Sequence, residues 1–163
     1  MKPSIYPISA DYPGQLFLMP KPSGEWLDED MQYYRSIGVD LVMSMLEHTE
    51  AIELSLQNES RICSENRMDF LNFPIPDRGL PERQGFKEIV THVSKRLKQH
   101  EGVAIHCRAG IGRSGLLACC VMAGFVGSAQ AAIEIVSGAR GVQVPDTSEQ
   151  RAFIESVVSE LFV

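Results

Sequence analysis

The chain has 163 residues, of which 44% are hydrophobic and 22% charged, values typical of one globular domain with its own core. This length and composition exclude a disordered, collagen-like or fibrous protein. The formal net charge of −6 argues against a general nucleic-acid-binding protein, which needs a basic face. We therefore expect a single domain over residues 1–163 with no nucleic-acid partner.

The N-terminal sequence MKPSIYPISADYPGQLFLMP is interrupted by prolines and polar residues and lacks the apolar stretch of a signal peptide. The longest apolar run, residues 115–127, is too short to span a bilayer. We expect a cytoplasmic protein without a membrane span. Neither the cysteines nor the histidines show metal-ligand spacing, so the sequence implies no metal and no cofactor.

The first half of the chain shows a regular alternation of predicted elements. Hydrophobic periodicity predicts a helix over residues 25–37, ended by Gly38, and a buried strand over residues 39–46. A short helix at 48–56 and a strand at 68–73 follow, and then the proline-rich loop FPIPDRGLP at 73–81. Pro81 marks the start of an amphipathic helix, which Gly102 is expected to close.

The second half continues with a short apolar strand at 103–106 and a helix at 112–127 that is apolar on nearly all sides. Ser128 is the predicted cap of a helix that ends at Gly138, and Asp146 and Glu149 have capping-box spacing before the last helix. Short strands that alternate with helices predict an α/β fold. We expect a central, mainly parallel sheet of four to five strands, flanked by helices on both faces.

The segment AIHCRAGIGRSG places a cysteine, glycines and an arginine between the predicted strand and the apolar helix. The start of a helix leaves backbone N–H groups unpaired, and Gly110 and Gly112 let the loop wrap closely around an anion. These amides and Arg113 favour the thiolate of Cys107 over the thiol, and the guanidinium can hold two phosphate oxygens. We therefore expect a phosphate to bind beside a cysteine nucleophile, on Arg108, Ala109, Gly110, Ile111, Gly112 and Arg113.

The alternative interpretation of this segment is structural. It is a buried cysteine before a glycine-rich turn, followed by an arginine that forms a surface ion pair. The combination of the histidine, the cysteine, both glycines and the arginine in a strand–loop–helix context favours the functional interpretation.

HCRAGIGRS matches the HCxxGxxR[S/T] signature of the cysteine-dependent protein tyrosine phosphatase superfamily. The short chain and the upstream FPIPD resemble its dual-specificity branch, in the manner of kinase-associated phosphatases, and the resemblance extends over residues 14–162. It implies a sheet flanked by helices, a Cys107 nucleophile, an Arg113 phosphate clamp and a phosphorylated protein or peptide as substrate.

Hydrolysis of a phosphate ester also needs an acid that protonates the leaving oxygen. Asp77 lies in the Pro/Gly loop FPIPDRGLP, where composition alone indicates a turn residue. The resemblance implies instead that Asp77 is the general acid, since the family carries this group in a Pro-Asp loop upstream of the cysteine. Asp69 and Asp40 are weaker alternatives because both lie next to predicted strands.

Other residues receive supporting roles. Ser114 can cap the helix, and the resemblance implies that it also hydrogen-bonds the cysteine sulfur. His106 is expected to bond the backbone and order the loop, not to act as a base, because adjacent strand residues point to opposite faces. The resemblance implies that Gln150, or else Gln143, positions the hydrolytic water.

Three further residues remain hypotheses. Arg140 and Arg78 are expected to flank the mouth of the site, where they attract an anionic substrate, although surface arginines usually have no such role. Cys63 is a hypothetical resolving thiol for Cys107.

The sequence thus predicts a cysteine-based phosphatase that acts on phosphotyrosine and, as a wider possibility, on phosphoserine and phosphothreonine. Two alternatives stay open at this point. One is a phosphatase of a phosphoinositide or of an RNA 5′-phosphate, and the other is a silent phosphopeptide-binding module.

Overall fold

The fold is built on a five-stranded sheet, seen in a computed structural model that describes residues 2–162. Its strands are β1 (Tyr6–Ile8), β2 (Gln15–Met19), β3 (Leu41–Ser44), β4 (Asp69–Asn72) and β5 (Gly102–His106). They lie in the order β1-β2-β5-β3-β4, and only the β1–β2 pair is antiparallel. The predicted mainly parallel sheet is confirmed. β1 and β2 were not predicted individually, because prolines and a glycine interrupt the N-terminal pattern.

Helices cover both faces of this sheet. Within the described residues they are α1 (Leu27–Ser36), α2 (His48–Glu53), α3 (Glu59–Glu65), α4 (Arg83–Lys98), α5 (Arg113–Val126), α6 (Ala129–Arg140) and α7 (Ser148–Leu161). The sequence predicted each of these except α3. No helix within residues 2–162 combines the length and the apolar character that a bilayer crossing requires.

Two hydrophobic cores lie on opposite faces of the sheet. Val103 and Ile105 of β5 belong to the core shared with α4, α5, α6 and α7, whereas Ala104 belongs to the core shared with α1 and α3. This alternation follows from the two-residue period of a strand. A strand buried on both faces reads as a continuous apolar run, which is why β5 was recognisable in the sequence.

The prediction that Gly102 closes the amphipathic helix was wrong. α4 ends at Lys98, and Gly102 is the first residue of β5. A Cβ atom at this position would lie 2.0 Å from the Gly38 carbonyl oxygen. The glycine is therefore required by close backbone packing between the two chain segments, which local sequence does not reveal.

The predicted capping box of the last helix was displaced by one residue. The structure forms it from Thr147 and Gln150 instead of Asp146 and Glu149. The Thr147 hydroxyl accepts from the Gln150 amide at 3.0 Å, and the Gln150 side-chain oxygen accepts from the Thr147 amide at 3.2 Å. Ser128 caps α6 as predicted, although that helix continues past Gly138 to Arg140 and is followed by the cap residue Gly141, which has φ +86°.

The sheet places the candidate site at one edge. Met19 of β2 and Ser44 of β3 are both in register with His106, so the carboxyl ends of three parallel strands are level. Ligands of open α/β sheets bind beyond this edge. The chain from His106 leads directly into the loop that contains Cys107.

Candidate functional site

The loop between β5 and α5, residues 107–113 and here called the signature loop, is held from outside by its carbonyl groups. Three successive carbonyls accept bonds of 3.1 Å, from the Lys21 amide to Arg108 and from the Arg140 guanidinium to Ala109 and Gly110. With the carbonyls engaged outside, the amides of Gly110 and Ile111 hydrogen-bond toward the Cys107 sulfur. Arg140 therefore braces the loop. The contacts of Arg140 do not indicate the predicted role of attracting an anionic substrate at the mouth of the site.

Gly110 is a position where only glycine fits. Its φ is +75°, and a Cβ atom there would lie 2.6 Å from the carbonyl carbon and oxygen of Met19. The end of β2 thus packs directly against the loop backbone. The sequence predicted that this glycine lets the loop wrap closely around an anion. The structure adds the close packing against Met19 as a further reason for a glycine here.

Cys107 is buried, with 3% of its surface exposed. Its sulfur lies 3.1 Å from the Ser114 hydroxyl oxygen. Burial by itself raises the pKa of the thiol, but bonds from the Ser114 hydroxyl and from the amides of Ser114, Ile111 and Gly110 bring that pKa below its ordinary value. The site therefore stabilises a thiolate, the reactive form of cysteine.

Replacing Ser114 with alanine removes one of these donors. We expect the pKa of Cys107 to rise, so that the acid limb of the kcat/KM profile moves to higher pH. We also expect kcat to fall about 10- to 100-fold, the value of one hydrogen bond to a charged group. Rapid-quench measurement of the phosphoenzyme and a pH–rate profile test both. An unchanged pH profile with an intact fold would contradict this role of Ser114.

Arg113 begins α5 and is 2% exposed. Its two terminal nitrogens donate to the two carboxylate oxygens of Glu50, at 2.6 and 3.0 Å, and one also donates to the Ile75 carbonyl at 2.9 Å. The bonds from Arg113 hold the pKa of Glu50 below its usual range. This pairing fixes the plane of the guanidinium ahead of any substrate.

Glu50 was missed by the sequence analysis. It belongs to α2 and forms a capping box with Glu47, whose spacing is visible in the sequence. That signal indicates a helix start and says nothing about Arg113, from which Glu50 is distant in the chain. The pairing became visible only when the fold brought α2 beside α5.

Asp77 lies in the loop that follows β4, where its side chain is 65% exposed. Its carboxylate is 3.5 Å from a terminal nitrogen of Arg113. Ile75, two residues earlier, is fully buried and anchors this loop. The carboxyl group thus faces the guanidinium and stays accessible to solvent, as an acid that serves a leaving group must be. The two weaker alternatives are engaged elsewhere, Asp69 with Arg96 and Asp40 with Arg35.

These groups surround a cavity of about 190 Å³. Its lining comprises Asp77, Arg78, Cys107, Arg108, Ala109, Gly112, Arg113 and Asp146. The structure therefore brings together most of the residues that the sequence singled out. Asp146 is an addition, since the sequence analysis treated it only as a helix cap. This volume is below the roughly 300–1,000 Å³ of pockets that enclose a drug-sized ligand, and it suits a phosphoryl group.

Gln150 is fully buried and does not belong to this lining. Its side-chain oxygen accepts from the amides of Asp146 and Thr147, and its side-chain nitrogen lies 3.4 Å from the Gly79 carbonyl. Both ends of the amide are thus engaged, so direct contact with a water in the cavity would require these bonds to break. Gln143, the other glutamine considered, bonds the carbonyl of its neighbour Val144.

The structure agrees with the predicted backbone bond of His106 but does not support the predicted redox role of Cys63. His106 Nδ1 lies 3.1 Å from the Cys107 carbonyl oxygen, which agrees with the predicted backbone bond. Cys63 is buried in the core on the other face of the sheet and donates to the Met31 sulfur at 3.6 Å. Its hypothetical role as a resolving thiol is therefore not supported, because a disulfide with Cys107 would need local unfolding.

Comparison with known families gives a match over most of the chain. The family model described as "Tc-R-P: Polymorphic toxin system, DSP-PTPase phosphatase" matches residues 19–125. Cyclin-dependent kinase inhibitor 3 from Rattus norvegicus is 26% identical over 137 residues, which are 83% of this chain and 65% of the relative. The chain thus spans just under two thirds of the length of this relative.

Solved structures share the fold. Kinase-associated phosphatase, in a crystal structure with its catalytic-site cysteine substituted by serine, has a TM-score of 0.89 at 21% identity, with 99% of this chain and 97% of that chain covered. PTPMT1 in complex with PI(5)P has a TM-score of 0.75 at 19% identity, with 89% and 90% covered. At these identities the likeness concerns the architecture of the sheet and its helices.

Proposed function

Because the chain belongs to the DSP-PTPase phosphatase family, we propose that it hydrolyses phosphotyrosine esters of proteins through a phosphocysteine intermediate. The activity extends to phosphoserine and phosphothreonine if the cavity admits shorter side chains. The observation that carries this proposal is the buried Cys107, bonded by Ser114 and loop amides and facing the same cavity as Arg113 and Asp77.

In the first step the Cys107 thiolate attacks phosphorus in line with the ester oxygen. The P–S bond forms as the P–O bond to the leaving group breaks, and Asp77 transfers its proton to the leaving oxygen. Arg113 and the loop amides hold the other phosphoryl oxygens, whose charge they stabilise.

In the second step water attacks the phosphocysteine. The Asp77 carboxylate takes a proton from this water, the P–S bond breaks, and inorganic phosphate leaves. Ser114 donates to the sulfur as it regains its negative charge, which makes the thiolate a better leaving group. The chain supplies the nucleophile, the clamp and the acid, so the proposed reaction calls on no metal or cofactor.

The charges around the cavity favour a substrate with a single phosphate. Arg108, the additional cation of the signature loop, lies 3.6 Å from Glu50 and 3.9 Å from Glu53. Beyond these groups and Arg113, the lining holds one further cation, Arg78, and one further anion, Asp146, because Asp77 is protonated when it acts as the acid. A second phosphate beside the reacting one would therefore meet no surplus of positive charge to hold it. A phosphoinositide with several phosphates or an RNA end is therefore a weaker candidate.

The test is release of inorganic phosphate from para-nitrophenyl phosphate, first with and without a chelator and then with phosphopeptides and phosphoinositides. We expect turnover that the chelator leaves unchanged, and a higher kcat/KM for phosphotyrosine peptides than for phosphoinositides. No release from any substrate would indicate a binding module. A preference for phosphoinositides would replace the proposed substrate class.

The role of Asp77 is testable with a matched partner, because Asp146 lines the same cavity. We expect Asp77→Asn to lower kcat about 10²–10⁴-fold on phenyl phosphate, whose leaving group needs a proton, and much less on an ester with an acidic phenol. Asp146→Asn should cost less than about tenfold on both esters. Steady-state kinetics over a series of phenols distinguishes the two, and equal leaving-group dependence in both variants would remove Asp77 from the acid role.

The redox state of the cysteines favours a reducing compartment. All four cysteines lie within the described residues and are free thiols. Because Cys107 must stay reduced to react, we place the reaction in the cytoplasm.

A further inference from the structure

A buried ion pair lies directly behind the nucleophile. Glu59, the first residue of α3, is 2% exposed, and His106, the last residue of β5, is fully buried. The His106 Nε2 and Glu59 Oε2 atoms are 2.5 Å apart. Glu59 belongs to no motif described in the sequence, and the proposed mechanism does not use it.

The two ring nitrogens of His106 together indicate its protonation state. Nδ1 faces the Cys107 carbonyl oxygen, which only accepts, so this nitrogen carries a hydrogen. A neutral ring would then present a bare Nε2 to a carboxylate oxygen, and two acceptors do not lie 2.5 Å apart without a shared proton. Burial lowers the pKa of His106, but the charge and hydrogen bond of Glu59 raise it above its ordinary value. A single proton therefore joins Nε2 to the Glu59 oxygen, and the raised pKa of His106 favours that proton on the ring, as an imidazolium.

The neighbouring ionisable groups leave this charge balance intact. Tyr34 of α1 and Cys63 of α3 both face Glu59, and burial raises the pKa of each, so both stay neutral near pH 7. Asp30 of α1 acts on Tyr34 and accepts from the Ser23 amide. On the other side of the ring, the Cys107 thiolate also raises the pKa of His106. Glu59 is thus the carboxylate that balances the imidazolium.

We propose that Glu59 is a positioning residue of the active site, which holds His106 as an imidazolium so that the ring fixes the Cys107 carbonyl and its charge favours the thiolate. The inference rests on the proposed function only for its consequence in catalysis. The pair is neutral overall, both as imidazolium with carboxylate and as two neutral groups. Its positive end, however, is adjacent to Cys107, and its negative end lies beyond the ring on α3.

The test is alkylation of Cys107 by iodoacetamide between pH 5 and pH 9 in Glu59→Gln, a variant that keeps the shape and removes the charge. We expect the rate at pH 6 to fall at least about threefold, and the rates at pH 9, where the thiol is ionised in both proteins, to converge. The acid limb of kcat/KM should move to higher pH in parallel. Superimposable alkylation profiles would overturn the proposal.

Several controls keep this test decisive. Glu65→Gln changes an exposed glutamate of the same helix, paired with Arg61, and should leave the profile unchanged. The Cys107→Ser variant reports alkylation at other cysteines. If Glu59→Gln does not fold, Glu59→Asp serves as the second variant, because it retains the charge on a shorter side chain that loses the contact with His106. A rate of Cys107 alkylation at pH 6 that changes by less than twofold in Glu59→Asp would overturn the positioning role. Alkylation needs no substrate, so this result stands whether or not the wild-type protein hydrolyses a phosphate ester, and absence of hydrolysis would affect the proposed function alone.

Discussion

Replacing Cys107 with serine is expected to lower kcat by about 10⁴-fold or more on para-nitrophenyl phosphate, the scale of losing a nucleophile that acts with its partners as a unit. The site is adapted to a thiolate. The Ser114 hydroxyl at 3.1 Å and the loop amides lower the pKa of a thiol, and a serine hydroxyl would stay protonated in the same place. Phosphate-release assays and the absence of a trapped phosphoenzyme measure this loss.

The same variant should still bind a phosphopeptide, because Arg113 and the loop amides are unchanged. Isothermal titration of Cys107→Ser with a phosphotyrosine peptide measures this binding. Cys119→Ala provides the matched control, since Cys119 is a buried core residue of α5 in the same core as Cys107. Substantial turnover by Cys107→Ser, or an equal loss in the folded Cys119→Ala protein, would exclude Cys107 as the nucleophile.

Replacing Arg113 with lysine is expected to lower kcat/KM about 10²–10³-fold, although the charge is kept. Lysine has no planar fork, so it cannot donate to Glu50 from two nitrogens and at the same time present two donors to a phosphoryl group. The change also affects folding. The buried Ile75 carbonyl loses its donor, which destabilises the protein by about 1–3 kcal/mol. Steady-state kinetics and urea unfolding measure the two effects separately.

Arg96→Lys is a suitable control for this substitution. Arg96 is largely buried and donates to the carboxylates of Asp69 and Glu101, away from the residues that line the cavity. We expect a small loss of stability and unchanged kinetics. If Arg113→Lys and Arg96→Lys have the same kcat/KM, Arg113 does not clamp the transferring phosphate.

The strands and helices were predictable where burial leaves a periodic pattern in contiguous residues. β5 and α5 are apolar on almost every side because both are buried on all sides, β5 between the two cores, so a continuous apolar run marked both. Gly102 was misread because its reason is a contact with the Gly38 carbonyl, distant in the chain. α3 was not found, and with it Glu59 was missed.

The candidate site also combines residues that the sequence could predict with contacts that only the fold establishes. Cys107, Ser114 and Arg113 belong to one contiguous segment, whose residue types and spacing already indicate an anion site with a nucleophile. Asp77 was placed by a resemblance, and its approach to Arg113 at 3.5 Å is a property of the fold. Gln150 shows the opposite outcome. The resemblance implied that it positions the hydrolytic water, whereas the fold engages both ends of its side chain.

By itself the sequence determined an α/β chain with a glycine-rich cysteine loop at the start of a buried helix, and it predicted that this cysteine is reactive. Backbone geometry, glycine spacing and helix-terminal charge act over a few residues, so their consequences can be read locally. Only the tertiary structure decided which groups complete the loop: Glu50 behind Arg113, Glu59 behind His106, Arg140 on the loop carbonyls and Asp146 in the cavity. These contacts join segments far apart in the chain, and their strength depends on burial and distance, which no spacing of residues specifies.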